Sequence, residues 1–323
     1  MALAPTLIVP LNVLVNEHRL YLPLAGLALG VGAWWGIRDH TRLLWPGVAC
    51  LVLWAGLAVQ RNGQWRDEYS LWQAAAATSP QMPRVHVHLG NAQRDKGRSA
   101  EARQAYARAL ELDAANRSAR TNLANLYFES ASTDSVRRTE YLSFAARQYE
   151  EVLAHDPDYR EALNNLGSAR MALGDYTGAQ RVWQRATSLH PNHAEAHFNM
   201  GLLQMRRGHP EVAISHFDQA LGLGEDAEIH RERGHALVGL QRLPEAVRSY
   251  RNAARLAPGD ISSRYNMAEV LLVLGESDLA QSRNQEGLAR WREAERALRE
   301  VLGLSPGHAR ARNRLERLRE RLP

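Results

Sequence analysis

From Arg61 onward, apolar residues recur three or four positions apart and polar residues fill the faces between them, the period of amphipathic helices. One spacing returns along this stretch: Gly90, Ala102, Tyr106, Ala109; then Gly167, Ala179, Trp183, Ala186; then Gly201, Ala213, Phe217, Ala220; then Gly234, Ala246, Tyr250, Ala253. The repeat length is 33 or 34 residues. A unit of that length is one helix–turn–helix that cannot bury its apolar face alone, so neighbours must stack. The small residue lets the second helix approach the first, and the aromatic and the following Ala fill the seam. Pro157, Pro191, Pro258 and Pro306 end units by stopping helix propagation, with Ala114 and Glu225 in the equivalent places. The predicted unit boundaries are 83–116, 117–159, 160–193, 194–226, 227–260 and 261–308, preceded by a half-unit at 61–82 that carries Trp72, Ala75 and Pro80. Leu315, Leu318 and Leu322 at helical spacing, with arginines around them, predict a capping helix over 309–323.

Before Arg61 the pattern changes. Tyr21 to Ile37 and Leu43 to Val59 are runs of 17 residues without a full charge. As helices each would be about 26 Å long, a little short of a hydrocarbon core of about 30 Å. Trp34, Trp35 and Trp45 stand where an interfacial belt would lie. The spacing therefore predicts a two-helix transmembrane hairpin in residues 1–60, with helices at about 20–37 and 43–60; a buried helical hairpin is the alternative. Arg38 and Arg42 lie in the link, and Arg19, Arg61 and Arg66 on the other side, so positive charge does not choose the orientation. Residues 2–15 are apolar, broken by Pro5 and Pro10, and read as the end of a longer apolar segment; they lack the basic start of a signal peptide.

Two units are longer than the rest. Ala124 to Ala145 is 21 steps and Ala268 to Ala294 is 26, where the ordinary unit has 12, so nine and fourteen residues are extra. The first insertion carries Ser130, Ser132, Thr133 and Ser135. Either both are lengthened helix pairs or they are loops that carry function.

Composition narrows the chemistry. The net charge is +5 over 323 residues, and 308–323, with six Arg and two Glu, supplies most of it. The remainder is nearly neutral, which argues against a nucleic-acid partner. A basic last helix could touch anionic lipid or an acidic partner, but the apolar stripe makes it first a cap. Lys96 is the only Lys among 40 basic residues, a bias that points to a GC-rich, bacterial coding sequence. The lone Cys50 sits in an apolar run, away from any base. No Ser/His/Asp set, phosphate loop or dinucleotide fingerprint is present, so no catalytic residue and no cofactor are predicted. His193 and His197 share a helix face, but Glu195 is read as pointing elsewhere, and no metal site is predicted.

The residue two before the small position reads His88, Asn122, Asn165, Asn199, Glu232 and Asn266. An amide side chain offers donors and an acceptor together, so a row of them can bond both edges of an extended peptide backbone. Asn91 and Asn125, three positions further along their helices, extend the row. His88, Asn91, Asn122, Asn125, Asn165, Asn199 and Asn266 are thus candidate lining for a peptide groove; the alternative is that these Asn side chains serve local packing.

The repeats resemble the tetratricopeptide family over residues 65–308. That resemblance implies an all-α chain with a right-handed α-solenoid of about six repeats, the column above facing its concave groove. Ahead of the membrane hairpin stands Asn16-Glu17-His18-Arg19-Leu20-Tyr21-Leu22-Pro23. With Arg61-Asn62, Trp65-Arg66-Asp67, Leu71-Trp72 and Ser79-Pro80 before the repeats, the order resembles the C-terminal part of transmembrane-and-tetratricopeptide O-mannosyltransferase-like proteins, polytopic glycosyltransferases of the GT-C type. The resemblance implies a lipid-linked sugar donor, a repeat domain that presents acceptor protein on the non-cytoplasmic side, and catalytic acids in an early loop to which nothing in this chain corresponds. Glu17, His18 and Arg19 match the late motif and would form a lipid-phosphate rim.

Two functions follow as expectations. The first is a membrane-anchored repeat scaffold that binds an extended protein segment and presents it as acceptor, held in a bacterial inner membrane through residues 20–60 with 61–323 in the periplasm. The second is a subunit of a lipid-linked-sugar-dependent protein O-mannosyltransferase acting through Glu17, His18 and Arg19.

Overall fold

The computed structural model describes residues 67–321. The predicted hairpin at 20–60, the rim Glu17, His18 and Arg19, and Leu322 lie outside the described residues. The chain divides into two units between Ala74 and Ala75. Only 67–74 of the first are described; they form the start of α1 (Glu68–Thr78), which runs across that division. Among the described residues no helix is long and apolar enough to cross a membrane.

The second unit is all-helical. Six helix pairs follow α1: α2 (Pro83–Asp95) with α3 (Ser99–Leu112), α4 (Arg117–Thr133) with α5 (Arg138–His155), α6 (Arg160–Ala172) with α7 (Tyr176–Leu189), α8 (Ala194–Arg206) with α9 (Pro210–Leu223), α10 (Ala227–Gly239) with α11 (Leu243–Leu256), and α12 (Ile261–Ala280) with α13 (Asn284–Leu304); α14 (Ala309–Arg319) closes the series. From α2 onward each helix packs on its sequence neighbours, the arrangement of a solenoid. The first helices α2, α4, α6, α8 and α10 also approach one another in order, and no comparable approach among second helices is seen in the described residues. The first helices therefore line the inner, tighter face.

The seam of each pair has one cause. A Cβ added to Gly90 would lie 2.5 Å from the Tyr106 ring, and one on Gly234 2.6 Å from the Tyr250 ring. Gly167 against Trp183 and Gly201 against Phe217 are at least as tight. A mid-helix Gly costs about 0.5–1 kcal/mol relative to Ala. The fully buried rings of Tyr106, Tyr149, Trp183, Phe217 and Tyr250 offset that cost, at about 2–3 kcal/mol for each large apolar side chain taken out of water.

Helix ends are also encoded locally. Asp156, His190, Ala257 and Ser305 follow the last residue of a second helix, and all have φ between −120° and −139°. Each precedes a Pro, whose ring pushes the residue before it out of the helical region. Asp113, before Ala114, adopts the same extended geometry at φ −147°, so Pro reinforces this turn rather than creating it. Within pairs, the turn places Gly97, Gly174 and Gly208 at φ +74° to +83°, where a side chain is strained; Gln241 (φ +59°) and Ser282 (φ +62°) occupy that place without the benefit of Gly.

Both insertions lengthen helices. α4 and α5 have 17 and 18 residues where α6 and α7 have 13 and 14, and their link Asp134–Arg137 is one residue longer. α12 and α13 have 20 and 21, seven extra on each side of an ordinary three-residue link. Four residues are about one helical turn and seven about two, so the apolar face returns to the seam. In the last pair Gly275, seven residues beyond Ala268, meets Trp291 in the close approach made elsewhere by Gly90 or Gly167. The tip of α4–α5 makes its own small core: Ala131, Tyr141 and Leu142 pack with Tyr127 and Phe128 and with Ala172 and Leu173 of the next pair.

The last helix is built as a cap. Ala311, Leu315 and Leu318 are buried. Its arginines turn back on the last pair: Arg314 to Glu269 at 2.8 Å, Arg321 to Glu276 at 2.7 Å and across the Trp291 ring at 4.5 Å, and Arg312 to the Pro306 carbonyl at 2.7 Å.

Candidate functional site: an amide ladder on the inner face

Every residue of the candidate groove lies on a first helix and is half-buried: His88 and Asn91 on α2, Asn122 and Asn125 on α4, Asn165 on α6, Asn199 on α8 and Asn266 on α12. Two pairs of them are bonded across neighbouring helix pairs, Asn199 and Asn266 bond to other residues of the preceding first helix, and His88 accepts from Arg84 Nε on its own helix at 3.5 Å. Asn122 donates its amide N–H to Asn91 Oδ1 at 2.8 Å, and Asn165 donates to Asn125 Oδ1 at 3.0 Å. Asn199 donates to Asn164 Oδ1 at 2.9 Å. Asn266 Nδ2 stands 2.9 Å from His235 Nε2. The row is thus a ladder: at Asn91, Asn125 and His235 the rung runs from the residue after the small position to the residue two before the next one, and the Asn199 rung starts instead from Asn164, three before Gly167.

Second helices supply the anchor. The Tyr106 hydroxyl donates to Asn91 Oδ1 at 2.8 Å, and the Tyr149 hydroxyl to Asn125 Oδ1 at 2.6 Å. Burial pushes the Tyr106 phenol up to about 12, and burial with the Glu161 charge raises Tyr149 further, so both hydroxyls keep the proton they donate. Asn125 spends one N–H on Glu161 Oε1 at 3.2 Å, and Glu161 also accepts from the Tyr159 hydroxyl at 2.8 Å. Those bonds are local packing, the alternative stated above. They leave polar groups over, however: Asn91 Nδ2, Asn122 Oδ1 and Asn199 Oδ1 have no protein partner and are not among the buried unsatisfied atoms, so they are open to solvent on the inner face.

The ladder changes character at α8. The residue after the small position is Leu202 there, half-buried beside Phe198, and no rung joins α8 to α10. On α10 the groove position is Glu232, which accepts from His235 at 3.2 Å and from Arg231 at 3.4 Å. The hydrogen bond from His235 heads the causes that hold the Glu232 carboxyl below its ordinary range.

Four ladder members were not read as such in the sequence. His235 sits in the same column as Asn91 and Asn125, so the spacing held the signal. Tyr106 and Tyr149 belong to the aromatic column, where a hydroxyl is invisible to a reading by apolar spacing. Asn164 lies one helical turn before Ser168, the column position, and only the fold brings it into line. Glu195 turns toward His193 rather than away, with Oε2 3.4 Å from His193 Nε2, while the ring itself is 1% exposed. His197 faces the Pro191 carbonyl at 3.3 Å. Among the described residues no group of three or more His, Cys, Asp or Glu could hold a metal ion. A cleft of about 590 Å³ opens elsewhere, between α7 and α9, lined by Gln184, Thr187, Pro191, His197, Gln219 and Leu223. It has no ladder residue and no acid or base pair, so the inner face remains the candidate.

Comparison with known proteins agrees with this architecture. A tetratricopeptide repeat model matches residues 145–179, 164–228 and 231–286, and a second TPR repeat model matches 90–130, together more than half of the chain. The chain belongs to the tetratricopeptide repeat family. Among curated relatives it is 23% identical to the human protein O-mannosyl-transferase TMTC1 over 83% of this chain and 37% of that protein. It is 31% identical to the Drosophila melanogaster protein O-mannosyl-transferase Tmtc2 over 39% of this chain and 13% of that protein. The chain thus spans little more than a third, or less, of these relatives. Solved tetratricopeptide structures share the fold: the Cut9-Hcn1 hetero-tetramer of the APC/C (TM-score 0.57, 18% identity, 78% of this chain and 45% of that one) and pilF of Pseudomonas aeruginosa (TM-score 0.56, 19% identity, 72% and 95%).

Proposed function

We propose that this chain is a tetratricopeptide scaffold whose inner face grips an extended protein segment, and that it is the acceptor-presenting portion of a membrane O-mannosyl-transfer protein. The observation that carries the binding reading is the amide ladder. Its unspent carboxamide groups offer a donor at Asn91 Nδ2 and acceptors at Asn122 Oδ1 and Asn199 Oδ1, which suits a peptide backbone and gives no preference to side-chain charge. The similarity to O-mannosyl-transferases, together with the NEHRLYLP motif ahead of the repeats, supports the acceptor role. In this reading residues 20–60 anchor the chain in a bacterial inner membrane and 61–323 stand in the periplasm.

Replacing Asn122, Asn165 and Asn199 together by Ala tests the binding claim. Capture of the acceptor protein by pull-down is expected to fall at least tenfold while the helical signal by circular dichroism is kept; unchanged capture overturns it. Orientation is read by protease protection in right-side-out spheroplasts, where residues 61–323 are expected to be cut; their protection contradicts periplasmic placement.

The second reading, a lipid-linked-sugar-dependent transferase subunit with Glu17, His18 and Arg19 at the donor phosphate, draws on the same motif. Purified 1–323 is expected to show no glycosyl transfer by itself, and clear turnover would decide for this second reading.

A further inference from the structure

The rungs differ in how firmly they are held, and the difference follows the chemistry of the second helix. A carbonyl oxygen has two lone pairs. In Asn91 both are taken, by the Tyr106 hydroxyl at 2.8 Å and the Asn122 amide at 2.8 Å. In Asn125 both are taken, by the Tyr149 hydroxyl at 2.6 Å and the Asn165 amide at 3.0 Å. A Tyr hydroxyl accepts as well as donates, so these bonds fix where each amide lies; at Asn125 the Glu161 carboxylate, which only accepts, also fixes which way the amide is turned. In this arrangement Asn91 Nδ2 is left for a ligand, and Asn125 Nδ2 is used by Glu161. The rung donors Asn122 and Asn165 inherit the same fixity, since one N–H of each is committed.

The chain contains its own comparison. Where the aromatic is Trp183 or Phe217, neither of which places a hydroxyl at this point, the residue after the small position is Ser168 or Leu202. Trp183 instead donates its indole N–H to the Asn164 backbone carbonyl at 3.2 Å. Tyr250 is a Tyr beside His235, ring to ring at 5.6 Å, but its hydroxyl makes no hydrogen bond among the described residues. So the hydroxyl locks occur in α2–α5 only, and the run they begin ends at Asn199, just before Leu202.

Resting on the proposed peptide groove, we infer that Tyr106 and Tyr149 are positioning residues: from the second helices they hold the amides of Asn91 and Asn125 in place, so that α2, α4 and α6 present a set arrangement of amides to the backbone of an uncharged extended segment. Neither Tyr touches that segment. Each acts by tethering its amide to the second helix, so the bound arrangement is already present in the free protein and less ordering is required on binding.

The test uses the full chain in detergent and a fluorescein-labelled 15-residue peptide of Ser, Thr, Ala and Gly, read by fluorescence anisotropy. Y106F/Y149F is expected to raise Kd at least fivefold. Y250F removes a hydroxyl outside the ladder and is expected to change Kd less than twofold. Side-chain amide NMR distinguishes positioning from general loosening: the Asn91 and Asn125 NH2 signals are expected to broaden or double in Y106F/Y149F while backbone signals of α6–α9 stay in place. If the double variant does not fold, Y106F alone is read in the same way. Weaker binding in N122A/N165A/N199A with unchanged binding in Y106F/Y149F overturns the positioning role and leaves the groove standing. Unchanged binding in N122A/N165A/N199A, or no binding by the wild-type chain, removes the groove and this inference together.

Discussion

At the scale of single residues, the repeat is enforced by contacts that tolerate almost no change. Gly167→Ala would place a methyl group against the buried Trp183 indole, a contact too close for any real Cβ. The ring is held on all sides, so the pair must separate, and a loss of about 1–3 kcal/mol is expected by chemical denaturation. The turn residues work in the opposite sense. Gly174 has φ +83° with open space where a Cβ would go, so Gly174→Ala costs only backbone strain, about 1–2 kcal/mol. Ala114→Pro is expected to stabilise by about 0.4–1 kcal/mol, because Asp113 already has the extended geometry that a following Pro demands. Loss of stability would show that the chain leaves this turn differently from the Pro-bearing units. The small-residue and aromatic columns were legible in the sequence because their cause is steric and recurs at fixed spacing. The Tyr–Asn bonds were not, because a hydroxyl adds nothing to apolar periodicity, and Asn164 enters the ladder from one helical turn before the column position, a shift that spacing does not record.

At the scale of elements, the insertions show what a helix pair can absorb. The fourteen extra residues between Ala268 and Ala294 were countable in the sequence, but their even division between α12 and α13 follows from the need to bring Gly275 opposite Trp291. The lengthened tip carries the buried Asp278, held by Arg283 at 2.6 Å and Arg290 at 2.6 Å. Both arginines remain partly in water, so Asp278→Ala leaves no charge buried without its partner, and a cost of about 0.5–3 kcal/mol, the range of an ordinary substitution, is expected by chemical denaturation. The turn between α7 and α8 and the helix α9 give a pH dependence. Burial holds the His193 imidazole below its ordinary range, aided by the Arg160 charge and opposed by Glu195. Burial does the same to His216, with a contribution from His197 and against the Gln219 hydrogen bond. Both fold in the neutral form, whereas the unfolded chain takes up protons near pH 6.5. Stability is therefore expected to be flat from pH 8 to 7 and to fall as pH drops below about 6.5, and His216→Gln should reduce that slope. A melting temperature that rises on acidification to pH 5.5 would contradict this account.

At the scale of the whole molecule, the described repeats form a series in which each pair relies on its neighbours. Among the described residues the last apolar face is covered by α14, so removing 309–323 is expected to expose Val301 and Leu298 and to promote association. The repeat architecture was legible because one period governs more than two hundred residues and its cause is local. The membrane hairpin belongs to residues outside the described region and stays with the proposal. What the fold added is that most of the candidate groove residues are bonded across neighbouring pairs: the Asn column read from spacing becomes a set of rungs anchored from the second helices, polar from α2 to α8 and interrupted at Leu202. The central claim is that this ladder grips peptide backbone. Its most direct measurement is the Kd of the N122A/N165A/N199A chain for the fluorescein-labelled Ser/Thr/Ala/Gly peptide against that of the wild type, at matched helical content. The account predicts at least a tenfold weaker Kd; equal affinities would contradict it.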